Sequence, residues 1–199
     1  SRRPLLATID QLKRVHGVDR IDVVLPTHYH DDHVAGMNLL RDVEGTRVWA
    51  ATNFSDVLQQ PTSYDLPCLW YDPIRVDRSV PLETPIAWEE YEFQLYALPG
   101  HTLYACAISF EVDGLRTVAS GDQQGTMPGV EGEFLNYTYR NRFRHDDFRR
   151  SAELYIRLQP DLLISGHWDP QWVTRDYLEA LMQRGQEIEQ IHERLLPLY

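Results

Sequence analysis

The stretch "IDVVLPTHYHDDH", residues 21–33, decides the fold. Its first half is a short apolar run ending at Pro26, the pattern of a buried strand. Its second half crowds three histidines and two aspartates into the seven positions 27–33. In extended chain His28 and His30 are two residues apart, so they point the same way and can grip one ion. Asp32 and His33 fall where the chain turns into a helix expected to begin near Val34, which lets them reach past that ion to a second.

The same design recurs further along the chain. His101 follows "YEFQLYALPG", Asp122 follows "LRTVASG", and His167 follows "DLLISG". In each case an apolar strand ends and a metal-capable side chain comes next. Strand ends on one edge of a sheet converge, so residues far apart in sequence can meet there. Imidazole and carboxylate suit Zn²⁺, Fe or Mn²⁺ better than Ca²⁺ or Mg²⁺, which prefer all-oxygen cages. The seven candidate ligands exceed what one four-coordinate ion uses, and two ions sharing Asp122 as a bridge would account for all of them.

Around these positions the pattern reads as helix over 5–16, stopped by Gly17, then the strand, then a short helix in "VAGMNLLRD". "TRVWAA" reads as a strand, and "NFSDVLQQ" as a helix that Asn53 or Ser55 would cap. Residues 61–73, with three prolines, are expected to be irregular. From residue 86 the pattern turns to β, with a hairpin at Asp113–Gly114. Residues 123–144 read as a long loop, "DDFRRSAELYIRLQ" as a helix, and 174–196 as a long C-terminal helix. In that helix Leu178, Leu181, Met182, Ile188, Ile191 and Leu195 form one apolar stripe, expected in the core. Strands alternating with helices around a β-rich middle predict an α/β protein, folded as a single domain over 1–199.

Composition narrows the function. The chain has 199 residues, 43% of them hydrophobic, enough for one sizeable core. A net charge of -11 argues against a dedicated nucleic-acid binder. No apolar stretch approaches the roughly 20 residues of a membrane span, so a membrane is not an expected partner and the cytoplasm is the default compartment. The chain opens "SRRPLLATIDQLK" without an initiator methionine, which leaves room for a targeting segment ahead of it. Cys68 and Cys106 are expected to be buried free thiols, and His16, His145 and His192 surface or capping histidines.

"HYHDDH" together with "PGHT", "SGD" and "SGHW" resembles the metallo-β-lactamase superfamily. Its HxHxDH motif lies in register as His28, His30, Asp32 and His33, and its later positions match His101, Asp122 and His167. The resemblance implies an αββα sandwich with a dinuclear site along one edge. His28, His30 and His101 would hold one divalent ion, and Asp32, His33 and His167 the other, with Asp122 between them. Zinc is the metal expected, iron or manganese the alternatives. The activity implied is a metal-dependent hydrolase that uses a metal-bound hydroxide on a small ester, thioester or lactone, with Asp32 orienting the nucleophile or passing a proton. Two departures matter. Lactamases with a cysteine ligand carry it where this chain has Asp122, so the ligand set is similar to the glyoxalase II and lactonase branches. Family members also place several strands before the HxHxDH strand, whereas 20 residues precede Ile21 here. The N-terminal part of the first sheet is therefore expected to be missing, completed by a preceding segment or by a homodimer.

The loop "EFLNYTYRNRFRHDD", 133–147, lies where family members build a substrate pocket. Tyr137, Tyr139, Arg140, Arg142 and Arg144 are its candidates for an anionic or acyl substrate, with Tyr29 beside the ligands. Two other readings share the ligand set: a mononuclear iron sulfur dioxygenase of the same fold, and a catalytically incomplete metal-binding domain.

Overall fold

A computed structural model of the chain describes residues 2–125, 134–136, 142 and 144–195. Contacts divide the chain, read above as one domain, into two compact units, Ser1–Val80 and Pro81–Tyr199. In the first unit the opening apolar run pairs only at Val23–Val24 (β1), because Pro26 ends the run and lacks the amide a ladder needs. β1 lies parallel to β2, Arg47–Ala51, and β2 parallel to β3, Arg78–Val80. Helix α3 (Met37–Glu44) leads into β2, and helix α4 (Ser55–Gln59) follows it. Neither predicted residue caps α4: Phe54 occupies the capping position, and the Ser55 hydroxyl is engaged with Ser79 Oγ at 2.9 Å.

The N-terminal helix α1, Arg2–His16, brings Leu5 against the junction between the short helix α2 (Asp31–Val34) and α3. The approach is close: a Cβ built on Gly36 would lie 2.6 Å from Leu5 Cδ2. A half-buried clamp fastens α3 to the sheet. Arg41 donates to both Asp77 oxygens at 3.1 and 2.6 Å and to the Arg75 carbonyl, while Asp77 also accepts the Val48 amide at 2.8 Å. The Arg41 guanidinium holds the Asp77 carboxyl below the usual carboxylate range.

The second unit is built on a sheet whose strand order is β11-β10-β7-β6-β5-β4. Its strands are β4 (Pro85–Trp88), β5 (Tyr91–Ala97), β6 (Cys106–Val112), β7 (Leu115–Gly121), β10 (Leu162–Ser165) and β11 (Gln171–Trp172). The β6–β7 hairpin turns at Asp113 (φ 52) and Gly114 (φ 75), the two positive φ values a type I′ turn requires. Inside the segment read as a long loop, Gln124–Gly125 (β8) and Phe134–Leu135 (β9) form a two-residue ladder.

Helices α5 (Asp147–Leu158) and α6 (Arg175–Leu195) cover this sheet over a core of Leu98, Val118, Ala152, Tyr155, Leu163 and Leu181. Leu178 and Met182 pack against that core. The rest of the predicted α6 stripe does not reach it, for Ile191 is 52% and Leu195 71% exposed. The reason is length. Gly185 already meets the backbone of Phe148 and Arg149, near the start of α5, so residues several positions further along α6 run past the end of their partner. Cys106 is buried as expected, while Cys68 is exposed. Among the described residues no helix is long and apolar enough to cross a membrane.

Two outcomes follow from these contacts. Replacing Asp77 with Asn removes the charged half of the clamp and should cost about 2 kcal/mol in urea unfolding at pH 7. Because the folded carboxyl is held below its unfolded value, that contribution is present above about pH 5 and fades as pH falls below about 4. The variant should therefore show a flatter acid limb than the parent. Gly185→Ala should lower stability by about 1–3 kcal/mol despite alanine's better helix propensity. The added Cβ would lie 2.7 Å from the Arg149 amide nitrogen, and backbone cannot swing aside. A thermal midpoint at or above the parent's would contradict this packing account.

Candidate metal centre

Each unit carries a group of candidate metal ligands, held by its own backbone geometry. In the first unit His28–His30 stay extended after β1 (His30 φ −60, ψ 146). The segment is tied down by a bridge between His30 and Leu69 and by the Asp31 amide donating to the Cys68 carbonyl at 2.9 Å. The His30 carbonyl accepts from the amides of His33 and Val34, which starts α2 and swings His33 back over the extended segment. The three imidazoles gather as a result: ring centroids lie 4.6 Å apart for His28 and His30, and 4.1 Å for His28 and His33. His28 and His30 are buried at 1% and 4% exposure. Thr27 Oγ1 lies 3.1 Å from His28 Nδ1. Asp32 stays half exposed, its carboxylate 3.6 Å from His33 Nε2.

Tyr29, a candidate for substrate contact, is buried with its ring edge-on to His30 at 4.7 Å. A cleft of about 730 Å³ opens in the same unit, lined among others by Leu5, Asp31, Asp32, His33, Met37 and Trp70. Cys68 borders this region electrostatically. Desolvation of its sulfur, with Asp31 and Asp32 adding, pushes its thiol above the ordinary range.

In the second unit strand direction does the gathering. β5 is antiparallel to β6, β6 is antiparallel to β7, and β10 is parallel to β7. β5, β7 and β10 therefore all run the same way, and their C-terminal ends share one edge of the sheet. His101, Asp122 and His167 follow those three ends. A register shift at Ile164/Ser165 leaves Ser120 as an extra residue on β7, a bulge that re-aims the chain just before Asp122. The Asp122 Oδ2 atom then lies 3.9 Å from His101 Nε2 and 3.2 Å from His167 Nε2, with Asp122 at 6% exposure.

The donor chemistry fits a divalent transition metal. Donors on one tetrahedral ion at about 2.0–2.1 Å stand roughly 3.3 Å apart, close to these separations. The tautomer of His101 is also set for ligation. Its Nδ1 lies 3.0 Å from the Asn136 carbonyl, which can only accept. The proton must therefore sit on Nδ1, leaving the Nε2 lone pair on the side of Asp122, the arrangement by which a backbone acceptor orients a metal-binding histidine. Asn136 and Gln123, which brace His101, were not found by reading the sequence, because neither is a metal-ligand type. Tyr137, Tyr139 and Arg140 lie outside the described residues, while Arg142 is exposed with φ 49. His145 is exposed, near Glu189 and Glu193, but Glu189 already accepts Arg149 Nε at 2.6 Å, so the group is a solvated ion network.

Comparison with known proteins identifies the family and the fold. The profile of the metallo-beta-lactamase superfamily matches residues 7–167. Among solved structures, a metallo-beta-lactamase from Cronobacter sakazakii with a HARLDQ motif is similar at 16% identity and TM-score 0.67, over 97% of this chain and 82% of that one. A class B3 di-zinc metallo-beta-lactamase from an Alaskan soil metagenome is similar at 16% identity and TM-score 0.61, over 86% and 72%. An archaeal metallo-beta-lactamase superfamily protein from Sulfolobus tokodaii is similar at 16% identity and TM-score 0.60, over 89% and 80%. No curated protein matches the chain significantly. With the family profile spanning most of its length, the chain belongs to the metallo-β-lactamase superfamily.

Proposed function

We propose that the chain is a dinuclear, zinc-dependent hydrolase of a small ester, thioester or lactone. The observation that carries this reading is the single Asp122 oxygen faced by both His101 and His167. Two imidazoles from different strand ends that share one carboxylate suit two ions with Asp122 between them. By resemblance to the superfamily's ligand pattern, His28, His30 and His101 would serve one ion, and Asp32, His33 and His167 the other. When bound, the ions would supply water activated at neutral pH and positive charge for the carbonyl oxygen under attack.

The chain's own groups do the rest. Asp32, half exposed beside His33, is suited to take the proton of the attacking water and return it to the leaving group. Buried Tyr29 holds the His30 ring edge-on and so fixes its direction. The cleft in the first unit has the volume of a small-molecule site. Leu5, Met37 and Trp70 offer it an apolar wall for an acyl chain or ring, while Asp31, Asp42 and Asp72 disfavour polyanions. An aspartate at 122, where cysteine-ligand lactamases carry their cysteine, favours ester or thioester chemistry over antibiotic hydrolysis.

The test is the purified chain loaded with Zn²⁺ and offered thioesters, lactones and aryl esters beside phosphodiesters. His101→Ala is expected to lose about one ion per chain by elemental analysis. Its kcat/KM should drop roughly a thousandfold, the loss of several kcal/mol of transition-state stabilisation. Activity retained in that variant would contradict the hydrolase reading. One iron per chain with thiol-dependent oxygen uptake would replace it with a dioxygenase.

A further inference from the structure

Gln123 follows Asp122 directly, is only 2% exposed, and has no donor atom suited to a zinc ligand set. Its hydrogen bonds nonetheless converge on His101. The side-chain Oε1 accepts the His101 amide at 3.0 Å, and Nε2 donates to the Pro99 carbonyl at 2.9 Å. Its main-chain carbonyl accepts the Asn136 amide at 3.1 Å, and the Asn136 carbonyl in turn takes the proton of His101 Nδ1. One residue thus holds the backbone of His101 with its side chain and, through Asn136, the ring of His101 with its main chain.

Gly100 is part of the same device. A Cβ on Gly100 would lie 2.3 Å from Gln123 Nε2, and Gly100 sits at φ +144, a conformation that L side chains rarely adopt. The glycine of "PGH" lets the amide of "DQ" lie flat on the chain before His101. We infer that Gln123 is a positioning residue, which fixes the direction and tautomer of His101 so that Nε2 meets Asp122. This deepens the proposed hydrolase by naming the support of one of its ligands, and it rests on that reading only for the function of His101.

A purely structural role would be to tie the ends of β5 and β7 together, and a neighbouring residue separates the two possibilities. Ser151 Oγ donates to the same Pro99 carbonyl at 2.6 Å rather than to His101. The experiment compares Gln123→Met, Gln123→Glu and Ser151→Ala in the full chain. It reads Zn²⁺ affinity by competition with a chromophoric chelator, the visible spectrum of the Co²⁺-loaded protein, and the ¹⁵N imidazole spectrum of the metal-free protein.

Gln123→Met should weaken Zn²⁺ binding about 10–100-fold, shift the cobalt bands and remove the fixed Nδ1–H form of His101. Ser151→Ala should lower the thermal midpoint and leave all three readouts as in the parent. Gln123→Glu keeps the acceptor for the His101 amide but loses the donor to the Pro99 carbonyl, and should fall between the parent and Gln123→Met.

The inference is overturned if Gln123→Met keeps the parent's affinity, cobalt spectrum and His101 tautomer. It is equally overturned if Gln123→Met and Ser151→Ala behave alike, if Gln123→Glu is as weak as Gln123→Met, or if Gln123→Met fails to fold. A parent chain that binds no zinc would sink the hydrolase proposal instead, while the His101 tautomer in metal-free protein would still decide the role of Gln123.

Discussion

A carboxylate at 6% exposure, with the nitrogens of His101 and His167 facing one of its oxygens, organises the second unit. Burying a carboxylate costs several kcal/mol unless charge and hydrogen bonds compensate it. A bound divalent cation would supply that compensation, since His101 turns a lone pair toward the carboxylate, and the donors are gathered by topology rather than by nearness in sequence. Three strands of one sheet must run the same way for their ends to share an edge, and a bulge at Ser120 must turn the middle one at its last residues. Hairpins and the α5 crossover exist, in this sense, to bring two imidazoles to one carboxylate.

The first unit solves a related problem by local means. Two histidines on extended backbone and a third on the first turn of α2 gather within a few residues, fixed by the His30 carbonyl and the Cys68 carbonyl. Imidazoles 4.1 to 4.6 Å apart, edge-on or tilted, with His28 and His30 buried, make a donor set of the type that suits a divalent transition metal. Membership of the metallo-β-lactamase superfamily accounts for both halves having the residue types they do. Fold alone leaves the substrate to be argued from the site, which is why the shared Asp122, and not the likeness to lactamases, directs the proposed chemistry.

Much of this was legible in the sequence, for physical reasons that also explain the gaps. Ligands placed directly after apolar strands stand out because strand and ligand chemistry are both residue-type signals. The Asp113–Gly114 turn was legible because only certain residues tolerate two positive φ values. Gln123 and Asn136 were not legible, since their roles depend on which backbone groups they meet. β3 was missed because Arg78 and Ser79 break any apolar alternation, and β11 because it has two residues. The α6 stripe misled for a different reason: periodicity marks one face of a helix but not how far its partner extends along it.

The central claim is that Asp122 joins two ions in one centre. The most direct measurement is electron paramagnetic resonance of the chain loaded with two equivalents of Mn²⁺. Two ions about 3.5–4 Å apart across a shared carboxylate should give a spin-coupled multiline spectrum, which collapses to an uncoupled signal in Asp122→Ala. A six-line spectrum of isolated Mn²⁺ in the parent at full loading would contradict the two-metal account.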